Sequence, residues 1–352
     1  MRGERGPFLM AGGGTGGHII PALAVARELR KRGREIFFVG TDRGLESKLV
    51  PREGFRLERI QIGGLNRVGL RQKLETLVRL PMVTAGCMKF PASAVFSMGG
   101  YVAGPPVMAA LLRRVPVVVM EPNAIPGFTN RIIGRFVSRA LISFPETARH
   151  FPQGRTEITG LPVREEFFRI PPKEMGPVLN VLVTGGSQGS RTLNRAGRES
   201  WPLFREAGVA VRIVHQSGPA GFEELREPFA QSGLEGEVVP FIQDMPRAFA
   251  EADLVICRSG AGAVSELAAA GKPSILVPFP YAADDHQTHN AEAMERGGSA
   301  RLVRDAEFTG EKLFALVREI APALVPMGQA ARKFARPGAA ARAADILEEL
   351  AG

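Results

Sequence analysis

Two glycine-rich loops carry the first chemistry legible in this chain. Gly12–His18 (GGGTGGH) and Gly185–Ser190 (GGSQGS) each follow an apolar run and open a helix-like segment. Glycine suits such a place because backbone N–H groups must come close to phosphate oxygens at a helix N-terminus, where the helix dipole also favours negative charge. Taken literally, Gly12, Gly14 and Gly17 satisfy G-x-G-x-x-G, and Asp42 follows the second apolar run, about where a dinucleotide fold puts its ribose-binding acid. Any diphosphate meets the same physics, and a strand-to-helix turn without ligand is the alternative. His18 closes the first loop, where an imidazole either takes a proton from a hydroxyl or holds the loop by a hydrogen bond.

Four further clusters follow apolar runs, where open α/β sheets hold ligands. Met98–Pro106 (MGGYVAGPP) is a glycine-rich turn into a helix, and Glu121–Gly127 (EPNAIPG) offers Asn123 either to a sugar or to its own turn. Arg258–Ala263 (RSGAGA) is a third small-residue turn opening a helix. Three residues after it, Glu266 can grip two vicinal ribose hydroxyls with its two oxygens, or simply stabilise the helix start. The run PFPYAADDHQTHNA gathers Asp284, Asp285, His286, Gln287, His289 and Asn290. Zinc needs dry, convergent ligands, so this solvated loop without cysteine reads instead as sugar binding by Gln287, with the Asp pair as a helix N-cap.

The elements that must position these groups alternate along the chain. Short apolar runs at Phe8–Ala11, Glu35–Val39, Ala94–Ser97, Pro116–Met120 and Arg139–Phe144 read as buried parallel strands. Val178–Thr184, Val211–His215, Glu237–Phe241, Asp253–Cys257 and Ser274–Val277 repeat the grammar. The first helix, PALAVARELRKRG, has Pro21 in its first turn, Leu23, Ala26 and Leu29 on one face, and Gly33 as its stop. Two doubly wound sheets follow, as 352 residues exceed the size of one economical core. Prolines and glycines from Gly160 to Pro177 set the boundary near residues 163–177, and Ala341, Ala344, Ile346 and Leu350 give a closing helix its apolar face.

Charge is divided unevenly. Residues 1–163 hold 24 basic against 11 acidic side chains, a net +13, while 164–352 hold 21 against 25, a net −4. The basic half should meet something anionic. With one Trp, two Tyr and no nucleic-acid motif, base stacking has little support, and an anionic membrane surface or a phosphorylated lipid fits better. Leu65–Val83 interleaves Leu70, Leu74, Leu77 and Leu80 with Arg67, Arg71, Lys73 and Arg79, a pattern that suits a membrane interface or packing on the protein's own sheet. No signal peptide or membrane-spanning run is expected, and Cys87 and Cys257 make neither a disulfide framework nor a metal motif, as in a reducing cytoplasm.

In order along the chain, GGGTGGHIIPALAVA, EPNAIPG, GLPVR (Gly160–Arg164), GGSQGS, CRSGAGAVSELAAAGKP and PFPYAADDHQTHNA resemble the sequential motifs of the MurG family, within glycosyltransferase family 28. The resemblance implies an α/β GT-B fold, two doubly wound Rossmann-like domains facing a central cleft. Residues 1–163 would form the acceptor and membrane-binding domain, 164–337 the UDP-N-acetylglucosamine domain, and 338–352 a helix packing back on the first. The implied activity is inverting transfer of N-acetylglucosamine to the 4-hydroxyl of MurNAc in undecaprenyl-pyrophosphoryl-MurNAc-pentapeptide (lipid I), giving lipid II. That is a step of peptidoglycan synthesis, hence of cell shape and division, catalysed by a peripheral protein at the cytoplasmic membrane face, with a cell-wall synthesis complex as a further partner.

Carried over residue by residue, the resemblance implies donor contacts from Thr15, Gly16, Gly17, Asn123, Arg164, Ser187, Ile242, Ala261, Gly262, Ala263, Val264, Ser265, Glu266 and Gln287. The resemblance likewise implies that Gly13, Gly14, Thr15, Gly100 and Tyr101 form the acceptor-side loops and that His18 is the base or positions the acceptor. GAGA stands where some relatives have GALT, so a hydroxyl contact at Ala263 is lost. No Asp-x-Asp follows a donor-domain strand, so no tightly bound metal is expected, and stimulation by Mg²⁺ stays open. The rival readings are a UDP-N-acetylglucosamine 2-epimerase, a nicotinamide dehydrogenase resting on Asp42, and a membrane-bound sugar-nucleotide sensor without activity.

Overall fold

The computed structural model describes residues 6–63 and 70–352, and the side chains of this set apart from those of residues 70–77. Leu65 and Arg67 of the basic, leucine-rich segment therefore lie outside the described residues, as do the side chains of Leu70, Arg71, Lys73, Leu74 and Leu77. The chain divides into two compact units, residues 1–162 with 338–352, and residues 163–337. The break falls one residue before the expected one, and the Pro-rich stretch 163–177 is part of the second unit.

The first unit runs β1 (Phe8–Ala11), α1 (Gly16–Lys31), β2 (Ile36–Gly40), α2 (Glu46–Arg52), β3 (Arg56–Arg59), α3 (Leu70–Cys87), β4 (Ala94–Ser97), α4 (Gly104–Leu112), β5 (Val117–Glu121), α5 (Phe128–Ile133), β6 (Arg139–Ile142) and β7 (Thr156–Ile158). All pairings are parallel, in the order β3-β2-β1-β4-β5-β6-β7. Right-handed crossovers then put α1 and α2 on one face of the sheet and α3, α4 and α5 on the other. Central strands are wholly buried because helices cover both faces, which is why they read as unbroken apolar runs.

The second unit runs α6 (Glu165–Phe168), β8 (Leu179–Thr184), α7 (Arg191–Glu206), β9 (Val211–Gln216), α8 (Pro219–Ser232), β10 (Glu235–Val239), α9 (Met245–Glu251), β11 (Leu254–Cys257), α10 (Ala261–Ala270), β12 (Ser274–Leu276), α11 (His286–Arg296), β13 (Ala300–Leu302), α12 (Gly310–Ile320) and α13 (Leu324–Arg332). Its parallel sheet has the order β10-β9-β8-β11-β12-β13. Trp201 anchors one side of this core, packing edge-on to Phe229 with ring centroids 5.0 Å apart. Phe167 of α6 is buried edge-on against Phe249, so the Pro-rich stretch is fastened to this unit by an aromatic pair.

The final helix, α14 (Ala339–Ala351), packs on α1 of the first unit. Arg32 donates to Asp345 (2.6 Å) and Glu348 (2.9 Å), and Arg342 makes a two-pronged pair with Glu157. Its buried face is Ala339, Ala343, Ala344, Ile346 and Leu347, whereas Ala341 and Leu350, expected in the core, are only half-buried. Three other expectations need correction. Helix α1 begins at Gly16, so Pro21 falls in its second turn, because the loop itself winds into the helix. Strands β3, β7 and β13 have no apolar run: β3 and β7 are the edges of one sheet and β13 an edge of the other, where one side meets solvent. Strand β10, also an edge, ends at Val239 rather than reaching Phe241.

Candidate functional site

In the first unit the loop after β1 is folded around a carboxylate that sequence reasoning missed. Glu46, the first residue of α2, is fully buried, and its Oε2 accepts the Gly14 N–H at 2.7 Å. Its Oε1 accepts the Thr41 N–H (3.0 Å) and hydroxyl (2.8 Å). A Cβ on Gly13, Gly40 or Gly44 would collide with the Glu46 side chain, so the lack of a side chain at these positions makes room for the acid. The Gly14 N–H, read from sequence as part of a phosphate cradle, is spent on Glu46. Asp42, the literal ribose acid of the dinucleotide reading, instead pairs with Arg59 at 3.0 Å on an exposed surface.

His18 lies on the first turn of α1 with Nδ1 3.2 Å from the Gly13 carbonyl and 3.3 Å from the Thr15 hydroxyl. The Gly99–Gly100 turn after β4 backs the ring. Gly100 has φ +78°, and a Cβ there would stand 3.2 Å from His18 Cε1. Tyr101 borders Gly14. Thus Gly13, Gly14, Thr15, His18, Gly100 and Tyr101 share one corner at the carboxyl ends of β1 and β4.

The turn after β5 is built on a second missed acid. Glu121 is buried and accepts the Asn123 N–H (3.0 Å), the Asn123 amide (2.9 Å), the Asn130 amide (3.0 Å) and the Gly127 N–H (3.0 Å). Burial pushes its carboxyl above the usual range, and those hydrogen bonds pull it back. The Asn123 side-chain amide that was offered to a sugar is therefore aimed by Glu121, and the backbone carbonyl of Asn123 accepts the Thr147 hydroxyl.

In the second unit four loops meet at the carboxyl ends of β8, β9, β11 and β12. Ser190 caps α7, accepting the Leu193 N–H, while Ser187 is exposed on the loop before it. Arg258 opens the RSGAGA turn and binds Ser190 Oγ (2.7 Å), Asp305 (2.5 Å) and the carbonyls of Val277 and Pro278. Gln216, buried and absent from the sequence reading, donates to Gly186 O (2.8 Å) and Thr184 Oγ1 (3.1 Å) and accepts the Ile242 N–H (2.8 Å). Ile242 thus has its amide committed within the protein. Only the end of β9 places Gln216 there, and an amide at a strand's carboxyl end was the signal available.

Helix α10 starts after Gly260 and carries Ala261, Gly262, Ala263, Val264, Ser265 and Glu266 on its first turns. The Ser259 hydroxyl donates to the Gln287 carbonyl (2.8 Å), which fastens the two loops together. Gln287 Oε1 accepts the Phe279 N–H (2.9 Å), and its Nε2 lies beside Gly260, at the head of α10. Glu266 is half-buried. Desolvation pushes its carboxyl up to about 7, and the Arg164 guanidinium, stacked on Phe167, pulls the other way. Asp285 occupies the N-cap position of α11 as expected, but its side chain accepts the Thr288 hydroxyl (2.7 Å) rather than a backbone N–H, and both Asp284 and Asp285 have φ +51°.

Two parallel-sheet units, each with small-residue turns and helix N-termini at the carboxyl ends of its strands, have the architecture of the GT-B glycosyltransferases. The family 28 N-terminal domain matches residues 8–142 and the family 28 C-terminal domain residues 180–350. The chain is 72% identical over 98% of its length, and 96% of the relative's, to the UDP-N-acetylglucosamine--N-acetylmuramyl-(pentapeptide) pyrophosphoryl-undecaprenol N-acetylglucosamine transferase of Solibacter usitatus. The protein of that name from Myxococcus xanthus is 40% identical over 97% of this chain and 92% of its own. The crystal structure of Acinetobacter baumannii MurG superposes with a TM-score of 0.84 at 33% identity, covering 97% of this chain and 99% of that one. The chain belongs to the MurG family of glycosyltransferase family 28.

Proposed function

We propose that the chain transfers N-acetylglucosamine from UDP-N-acetylglucosamine to the 4-hydroxyl of MurNAc in undecaprenyl-pyrophosphoryl-MurNAc-pentapeptide. Near-full-length identity of 72% to a transferase of that printed activity carries the reading. The MurNAc oxygen forms a bond to C1 as the C1–phosphate oxygen bond breaks, inverting C1. The hydroxyl proton passes to His18, and the electron pair leaves on UDP. Glu266 holds the ribose diol, while the N-terminal N–H groups of α10 and Arg164 take up charge on the diphosphate. Ser187, Ile242 and Gln287 complete the donor contacts of the second unit. No tightly bound metal is needed for this charge balance, and Mg²⁺ acts at most as a stimulant.

The deciding assay is UDP release from UDP-N-acetylglucosamine with and without a lipid I analogue, run with EDTA and with Mg²⁺. Acceptor-dependent release is expected. A manno sugar formed from donor alone would mark an epimerase, and binding without release a sensor.

Helices α3, α4 and α5 leave large apolar side chains uncovered: Val78 is 77% exposed, Leu112 69% and Phe136, just past α5, 65%. Met82 and Ile132 lie among them, with Arg79, Arg114, Arg131 and Arg135 exposed alongside. No helix among the described residues is long and apolar enough to cross a membrane. An apolar surface with basic neighbours suits peripheral attachment to an anionic leaflet, which would bring the lipid acceptor to the first unit. The double substitution Leu112→Asp with Phe136→Asp is expected to weaken sedimentation with phosphatidylglycerol vesicles about tenfold or more. Turnover of a short-chain, soluble acceptor should stay unchanged. Equal loss on both would refute a membrane role for this face.

A further inference from the structure

We propose that Glu46 is a positioning residue for His18, acting through the Gly13–Gly14 peptide group; the inference rests on His18 being the base. The two hydrogen bonds involved meet on one amide. Its N–H end, on Gly14, donates to Glu46 Oε2 at 2.7 Å, and its C=O end, on Gly13, stands 3.2 Å from His18 Nδ1. A carbonyl can only accept, so Nδ1 carries the proton and Nε2 keeps the lone pair that a base needs. The Thr15 hydroxyl, 3.3 Å from Nδ1, serves as a second acceptor for the same proton.

Glu46 suits this work because it has nowhere else to point. Its other oxygen is filled by both donors of Thr41, and Gly13, Gly40 and Gly44 close around it without room for a Cβ. A carboxylate on the N–H end of a peptide polarises the group and strengthens its carbonyl as an acceptor, since linked hydrogen bonds reinforce one another. The parts have the order found when a carboxylate holds an imidazole tautomer directly, with one peptide group interposed. On the far side, Gly100 packs against the ring and limits its rotation.

The test compares Glu46→Gln with His18→Ala in the full chain. A glutamine amide cannot accept from both Gly14 and Thr41, so one of those N–H groups loses its acceptor. Expected is a ten- to hundredfold lower kcat for Glu46→Gln, the range for losing a partner that orients a functional histidine. The KM for UDP-N-acetylglucosamine should be unchanged, and the ¹⁵N shifts of His18 should show a mixture of tautomers where the parent protein shows Nδ1–H alone. Unchanged kcat with an unchanged tautomer would overturn the role of Glu46 while leaving His18 in place. Normal turnover by His18→Ala would overturn the reading beneath it. If Glu46→Gln fails to fold, the ¹⁵N spectrum of the parent protein decides: a neutral His18 protonated on Nε2 refutes the proposal.

Discussion

Replacing His18 with alanine is expected to lower kcat by about 10²–10⁴-fold, the usual worth of a positioned general base. The KM for UDP-N-acetylglucosamine should move little, because most donor contacts proposed above lie in the second unit. Orientation underlies the size of the effect. Nδ1 faces the Gly13 carbonyl, so the lone pair on Nε2 is presented in a fixed direction without reorganisation during the reaction. A glutamine at this position can restore the hydrogen bond to Gly13 but cannot accept a proton at neutral pH. His18→Gln should therefore be as slow as His18→Ala, and if it keeps most of the turnover at saturating substrates, His18 only shapes the loop.

Glu266→Ala should weaken UDP binding about 10²-fold or more, since two charge-assisted hydrogen bonds to the ribose are lost together. The parent affinity should itself depend on pH. With the free carboxyl at about 7, donor binding favours the ionised form, so affinity falls as pH drops through neutrality, toward about tenfold per unit. Stability moves in the opposite sense. The folded-state value lies above the ordinary 4.5, so the contribution of protonated Glu266 is complete below about 4.5 and is lost as pH rises through about 7. Glu266→Gln should then be more stable than the parent at pH 8, by about 1–2 kcal/mol after allowance for its exposed edge, while binding UDP poorly. Calorimetric titration of UDP from pH 6 to 8, with urea unfolding of both proteins, checks the pair. A pH-independent affinity, or a destabilised glutamine variant, would remove Glu266 as the ribose acid.

The central strands were legible because a strand covered on both faces must be apolar throughout, as in FLMA of β1 and LVIC of β11. The edge strand RLER of β3 has no such requirement and gave no signal. Likewise the loops announced themselves through glycine, but glycine marks only a close approach and not its partner. At Gly13 the approaching group is Glu46, far along the chain from the first loop.

Sequence by itself determined the two-unit α/β grammar, the family, and the turns that could hold a nucleotide sugar, because backbone conformation and apolar periodicity are local properties. Tertiary structure decided which groups those turns are built on. Glu46 and Gln216 satisfy backbone N–H groups on other segments of the chain, Gly14 and Ile242, while Glu121 gathers those of its own turn together with the Asn130 amide of α5. A buried acid or amide is tolerable only where such donors converge, and convergence exists only once β1, β2 and their neighbours have been set side by side.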